Sequence, residues 1–256
     1  MQARTLYQAF TTVPRTAYAL ASVLGVFTVL AWLVVAQANM PMAGTLDPIA
    51  LTLFTAIWGV GMVAMMFPSL VTIAFAVSVS TRKFTEQINA SASLRRLMVI
   101  GRTALFVGGY VAIWTLVGVL FYLAIAGLSL VGLPYGVGVV GPLAGGMLIF
   151  TGLYQFSRFK RQALMKCRSP VGFLMTRWKS GGVGAGLMGL DYGFFCTKCC
   201  WVLMVGLLTV GTMSLLLMGV FALIIFVEKI GPLGTLVVKI VGLGFLAAGI
   251  ALIVLR

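Results

Sequence analysis

Long apolar runs are the feature that most constrains this chain. Several are as long as the roughly 20 residues that a helix needs to cross the hydrocarbon core of a bilayer. Hydrophobic residues make up 61% of the sequence and charged residues only 9%, whereas soluble domains have about 25% charged residues. The sequence therefore predicts an all-α protein, a polytopic transmembrane helix bundle that forms a single domain over residues 1–256.

Seven spans are predicted from the lengths of these runs. Their approximate bounds are residues 17–37, 47–80, 103–128, 137–157, 183–209, 213–227 and 233–255. The second span has a clear start signal, since Asp47 is a good N-cap residue and Pro48 suits the first helical position. A six-span alternative stays open, in which residues 183–198 only dip into the membrane interface.

Basic residues set the predicted orientation of the bundle. Two segments rich in Lys and Arg, residues 81–102 and 158–182, are expected to be cytoplasmic loops, because positively charged loops stay inside. The loops at 39–44 and 129–136 contain neither Lys nor Arg and are therefore predicted to lie outside. This places the N-terminus inside, with residues 1–16 as a cytoplasmic lead-in.

The net charge of +14 indicates that the basic segments contact an anionic partner. The chain has 18 Lys and Arg residues but only 4 Asp and Glu residues. Since the basic residues lie between apolar runs and not on a soluble domain, we expect them to bind the anionic headgroups of the lipid bilayer and not nucleic acid. Other membrane subunits are a further class of partner that these segments could contact.

The absence of histidine excludes much metal and acid-base chemistry. Histidine is a common ligand of haem, copper and zinc and the usual general base near neutral pH, and this chain has none. The four acidic residues lie in different regions, which argues against paired-carboxylate catalysis. We therefore expect no haem, no catalytic residues and no enzyme activity. The remaining soft chemistry comes from 4 Cys and 14 Met residues.

Two groups of sulfur-containing residues share the same helical spacing. Residues at i, i+3 and i+4 lie on one face of a helix. One group with this spacing is Cys196, Cys199 and Cys200. The other is Met62, Met65 and Met66. Each group is therefore predicted to present three sulfurs on one helix face.

Two charged residues accompany the cysteines in the same apolar run. Asp191 and Lys198 are seven residues apart and are predicted to lie on the face opposite the thiols. Charges in hydrocarbon need partners. We expect these two to pair with each other, or with Lys239 or Glu228 from other helices.

The thiol face has three open interpretations. Clustered thiolates near a methionine face are suitable ligands for Cu(I). Zinc is a less favoured metal, because it would need a fourth ligand such as Cys167 or Asp191. A Cys-x-x-Cys from Cys196 to Cys199 could instead form a redox-active disulfide, with Lys198 activating a thiol. Small buried cysteines also pack at helix contacts with no chemical role.

Several segments resemble the predicted metal-binding integral membrane proteins of bacteria and archaea. In chain order they are Trp58–Pro68, Tyr154-Gln155, Lys160-Arg161, Cys167–Pro170, Gly193–Cys196, Cys199–Trp201 with Met204, and Glu228-Lys229. The resemblance runs from about residue 50 to the C-terminus. It implies a location in the cytoplasmic membrane of a prokaryote. It also implies these metal ligands: Cys167, Cys196, Cys199, Cys200, Met62, Met65 and Met66.

The chain departs from that family where the family has one cysteine and two histidines. The residues at those positions are Ala163, Lys166 and Tyr192. Their loss would weaken a metal site, restrict it to soft metals, or leave a site that is partly lost. The leading hypothesis is a non-enzymatic membrane protein that binds or hands on a soft metal, Cu(I) before zinc. The alternatives are an accessory subunit of a larger membrane complex and a membrane thiol redox relay.

Overall fold

The computed structural model describes residues 15–38, 47–130, 142–211 and 214–254. Within these ranges the chain forms nine helices and no strand. The helices are α1 (Arg15–Gln37), α2 (Pro48–Gln87), α3 (Ala92–Leu130), α4 (Pro142–Gln155), α5 (Arg158–Arg168), α6 (Pro170–Arg177), α7 (Gly181–Gly211), α8 (Leu215–Ile230) and α9 (Gly234–Val254). Three predicted features lie outside the described residues: nearly all of the N-terminal lead-in, the loop at 39–44, and most of the loop at 129–136 with the start of the fourth span.

The predicted all-α class is confirmed for the described residues. Five helices, α1, α2, α3, α7 and α9, are long and apolar enough to cross a membrane, which is compatible with an integral membrane protein. The helices at the fourth and sixth predicted spans, α4 and α8, are shorter, with 14 and 16 residues. Residues 183–198 belong to the continuous 31-residue helix α7. Seven spans and an inside N-terminus stay predictions.

The two basic segments are largely helical, and their predicted cytoplasmic location stays a prediction. Residues 81–87 continue α2 and residues 92–102 begin α3, so the turn between these helices is only a few residues long. The second segment forms α5 and α6. Helix α5 is amphipathic, with four buried residues three or four positions apart: Lys160, Ala163, Leu164 and Cys167. A buried stripe of this kind holds the basic segment against the bundle.

The start of α2 follows the predicted capping pattern. The Asp47 carboxylate accepts hydrogen bonds from the backbone nitrogens of Ile49 and Ala50, at 3.3 and 3.1 Å, and Pro48 occupies the first turn. These bonds satisfy N–H groups that have no partner inside a helix. The helix then runs through Pro68 to Gln87 as one element of 40 residues.

Helix α7 lies at the centre of the packing. It contacts α3 along much of its length and also contacts α4, α5 and α8. Helix α2 packs on α3 and α8, α1 packs on α2, and α9 packs on α4. A side chain on the buried faces of α7 can therefore meet residues from four other helices, and the cysteines of the central run occupy such faces.

Glycines allow α3 and α7 to approach backbone to backbone. A Cβ atom at Gly109 would overlap the carbonyl oxygen of Gly186, and one at Gly189 would overlap the carbonyl of Phe106. Small residues at such contacts let helices pack closely where lipid provides no hydrophobic driving force. The close approach also brings Tyr110 on α3 over the buried face of α7, with its hydroxyl oxygen 3.1 Å from the Cys196 sulfur.

We expect Gly109→Ala to destabilise the protein by about 1–3 kcal/mol, the usual cost of overpacking a filled contact. Gly108→Ala is the matched control, because a Cβ at the adjacent Gly108 meets nothing within 4 Å. Thermal unfolding of both variants in the same detergent measures the difference. Equal melting temperatures would show that the α3–α7 contact tolerates a methyl group.

Candidate metal centre

Helix α7 presents its three cysteines to the interior, as their spacing predicted. Cys196, Cys199 and Cys200 are each at most 1% exposed. The sulfur of Cys199 lies 3.1 Å from that of Cys200 and donates to the backbone oxygen of Cys196, also at 3.1 Å. The predicted thiol face therefore exists as one buried stripe of sulfur.

Cys167 joins this stripe from another helix. Ser157 caps α5 by accepting a hydrogen bond from the Lys160 backbone at 3.1 Å, and the amphipathic helix then packs on α7. This places the Cys167 sulfur 3.9 Å from that of Cys199. The Tyr192 hydroxyl donates to the Cys167 backbone oxygen at 3.3 Å.

We call the four cysteines the thiol cluster: Cys167, Cys196, Cys199 and Cys200. All four are buried, free thiols. The redox relay, in which Cys196 and Cys199 would form a disulfide under oxidant, stays an alternative. The Cys167 sulfur reaches that of Cys199 from another helix, so tertiary packing, and not the Cys-x-x-Cys spacing, brings this fourth thiol to the cluster.

Lys229 on α8 reaches the thiol cluster with its ammonium group. Its Nζ atom lies 2.9 Å from the Cys196 sulfur, 3.3 Å from the Ser69 hydroxyl and 3.5 Å from the Met66 sulfur. The whole residue is buried. From the sequence, Glu228-Lys229 was noted only as part of the family resemblance, and no role at the thiols was predicted for Lys229. The available signal was its position at the end of an apolar run, where a charge must either reach the surface or find an interior partner.

The methionine face of α2 is buried, and Met66 is placed at the edge of the thiol cluster. Lys229 contacts both Met66 and Cys196, so these two sulfurs flank one ammonium group. Met62 and Met65 are buried in the same hydrophobic core. Helix α2 is fixed in this position partly by Trp58, whose indole nitrogen donates to the Trp114 backbone oxygen on α3 at 3.0 Å.

A buried ion pair fastens α5 and α8 together beside the thiol cluster. The Nζ atom of Lys160 lies 2.7 Å from the Glu228 carboxylate, and both side chains are 1% exposed. Gln155 completes the group, since its amide nitrogen donates to Glu228 at 3.3 Å and its oxygen accepts from Lys160. Lys160 belongs to the segment predicted to contact lipid headgroups. It instead lies inside the protein, because its helix turns that side towards α8.

The charged residues beside the cysteines find partners other than those predicted. Asp191 pairs with Arg177 and Lys179 near the start of α7, at 3.6 and 3.5 Å. Lys198 is exposed and lies over the ring of Phe194, 4.4 Å from its centroid. Both residues avoid the thiol cluster, as predicted from the helix periodicity. The charge beside the thiols comes instead from Lys229.

A comparison with protein-family models places this geometry in context. The model of PpoB2, described as a copper chaperone, matches residues 55–252. The chain belongs to this copper chaperone family. The matched region extends from α2 to α9 and includes the whole thiol cluster. Membership agrees with the metal-binding resemblance at the level of copper handling. No curated protein and no solved structure matched the chain.

The donors in this copper chaperone family member are soft and shielded from water. Thiolate and thioether groups are the ligands that Cu(I) prefers in proteins. Within the part of the chain that the structure describes, no three His, Cys, Asp or Glu side chains are already arranged around one point as metal ligands. The thiols are instead engaged in hydrogen bonds, as Cys199 is with the Cys196 backbone. Metal binding would therefore require thiol side chains to rotate.

Proposed function

We propose that this protein binds Cu(I) at the thiol cluster, inside the membrane, and passes it to a partner protein. The observation that carries the proposal is the convergence of four buried thiols from α5 and α7 in a chain of a copper chaperone family. Cys167 is the member of this set that most supports a metal site, because it comes from a different helix and reaches the α7 cysteines through tertiary packing. Met66 is available as a thioether at the edge of the cluster.

Copper suits this site better than the other metals that thiols bind. Four cysteines could in principle form a structural zinc site, which is tetrahedral and closed. The family favours copper, and sulfur-only donors suit its monovalent form. The lack of histidine also fits, since imidazole is the usual ligand for Cu(II) and for many zinc sites.

Helix α5 gives the thiol cluster a short route to a partner. Its inner side carries Cys167, whereas Arg158, Arg161 and Lys166 on its outer side are exposed. One helix is about 10 Å across, so this distance separates the Cys167 side of α5 from its basic surface. That surface fits the anionic headgroups, or another membrane subunit with acidic residues, as a partner.

Titration with Cu(I) tests the proposal. We expect the purified, reduced protein to compete with a colorimetric Cu(I) chelator for about one copper ion per chain. The triple variant Cys196→Ser, Cys199→Ser, Cys200→Ser should not compete, because hydroxyls are poor ligands for soft metals. Met165→Leu is the control, since Met165 is 57% exposed and outside the cluster. A wild-type protein that takes no copper, or a triple variant that takes as much, would contradict the proposal.

The two alternatives make different predictions in the same preparation. A thiol redox relay requires the thiols to change state with oxidant, and thiol trapping would then detect a disulfide that forms and breaks. An accessory subunit would purify with partner proteins and bind no copper. Copper binding by the isolated chain that requires the cysteines favours the chaperone role over both.

A further inference from the structure

Lys229 is an unusual neighbour for a group of buried thiols. An ammonium group loses its hydration when it is buried, and this costs free energy unless a partner compensates its charge. Its recorded contacts are the sulfurs of Cys196 and Met66 and the hydroxyl of Ser69. None of these is a carboxylate.

The adjacent residue, Glu228, does not serve as this partner. Its carboxylate is bound to Lys160 on α5, at 2.7 Å. Among the residues that the structure describes, no salt bridge to a carboxylate is recorded for Lys229. The positive charge is therefore directed at the thiol cluster, with Cys196 as its closest contact at 2.9 Å.

A bound Cu(I) ion would change the charge of the cluster in a definite direction. Thiolates are the metal-binding form of cysteine. Two thiolates around one monovalent ion leave a net charge of −1, and further thiolates make the complex more negative. Such an anion, buried in a medium of low dielectric constant, is stabilised strongly by a cation a few ångströms away.

We propose that Lys229 is the positioning residue whose ammonium group neutralises the copper–thiolate complex through a hydrogen bond to Cys196. The residue is not a ligand in this arrangement. Its contacts with Met66 and Ser69 hold the ammonium between α2 and α7. The inference rests on the proposed function, because it assigns Lys229 a role at the same copper site.

Removal of the charge tests this role. We expect Lys229→Gln to weaken Cu(I) binding by about 10–100-fold, the usual effect of removing a residue that supports a metal ligand. Lys229→Arg keeps the charge and should restore much of the affinity. Lys239→Gln is the matched control, since Lys239 is exposed on α9. Lys229→Leu provides a second neutral variant in case the glutamine variant does not fold, and the two are expected to behave alike.

Competition with a Cu(I) chelator gives the dissociation constants of all five proteins, the wild type included. Neutral variants that bind copper as tightly as wild type, or more tightly, would overturn the inference. Tighter binding would mean that the ammonium competes with copper. An arginine variant that binds Cu(I) no more tightly than the neutral variants would also overturn the inference, because it would indicate that Lys229 has a purely structural role. If the wild type binds copper but the Lys229 variants do not show the expected order of affinities, the proposed function stands without the role of Lys229. If the wild type takes no copper, both fail.

Discussion

Cys199→Ser should lower the affinity for Cu(I) more than the roughly 10–100-fold that the loss of a supporting residue costs. Cys199 is the member of the thiol cluster with contacts to both neighbouring sulfurs, 3.1 Å to Cys200 and 3.9 Å to Cys167. A copper ion bound by thiols from both α5 and α7 would therefore be coordinated by Cys199 or by sulfurs next to it. Chelator competition with the single serine variants measures the ranking, and we expect Cys199→Ser to be the weakest binder.

Met218→Leu controls for the loss of a buried sulfur as such. Met218 is buried on α8, where its methyl group packs near Gly61, about three helical turns from Lys229. Its replacement by leucine conserves volume and should cost less than about 1.5 kcal/mol. We expect it to bind copper like the wild type. A Cys199→Ser protein with wild-type affinity would show that the copper site does not include this residue.

Glu228→Gln should destabilise the protein by about 3–5 kcal/mol, because it leaves the ammonium of Lys160 buried without a counter-charge. Both side chains are 1% exposed and lie 2.7 Å apart, so water cannot replace the lost partner. The α5–α8 contact should open first, since Lys160 is on α5 and Glu228 on α8. Thermal unfolding measures the loss, and a maleimide reagent reports whether the Cys167 thiol becomes accessible.

Two comparisons show whether the effect comes from the buried pair. Glu86→Gln makes the same chemical change at a surface ion pair with Arg82, where the glutamate side chain is 43% exposed, and it should cost about 0–1 kcal/mol. The double variant Lys160→Met, Glu228→Leu removes both charges and should recover most of the stability, because apolar side chains can replace a buried ion pair. If Glu228→Gln unfolds no earlier than Glu86→Gln, the ion pair does not hold α5 in place.

The sequence predicted several features at the level of single helices. Apolar runs and few charges predict helices, and each predicted span contains one. The Asp47 cap is present, because capping depends on residues within one turn. The shared buried face of the three α7 cysteines follows from helical periodicity alone. These features are local, so neighbouring residues suffice to specify them.

The thiol cluster, by contrast, depended on contacts between helices. Cys167 was considered as a fourth ligand for zinc and predicted as a metal ligand from the family resemblance, but in the sequence it lies in a basic segment far from the other three cysteines. The structure brings it to Cys199 because α5 is amphipathic and packs on α7. Asp191 and Lys198 were predicted to pair in the membrane, but Asp191 binds Arg177 and Lys179 instead, and Lys198 is exposed.

By itself, the sequence determined that this chain is helical, that several of its apolar runs are long enough to cross a membrane, and that three cysteines share one face of α7. It also limited the metal chemistry to sulfur, since the chain has no histidine. The tertiary structure decided which charge meets the thiols and which thiol joins them. Lys229 and Lys160 have the same side chain, yet one lies beside Cys196 and the other beside Glu228. Their surroundings differ because Lys160 on α5 faces α8, whereas Lys229 on α8 faces α2 and α7, and helix packing, not local sequence, sets this arrangement.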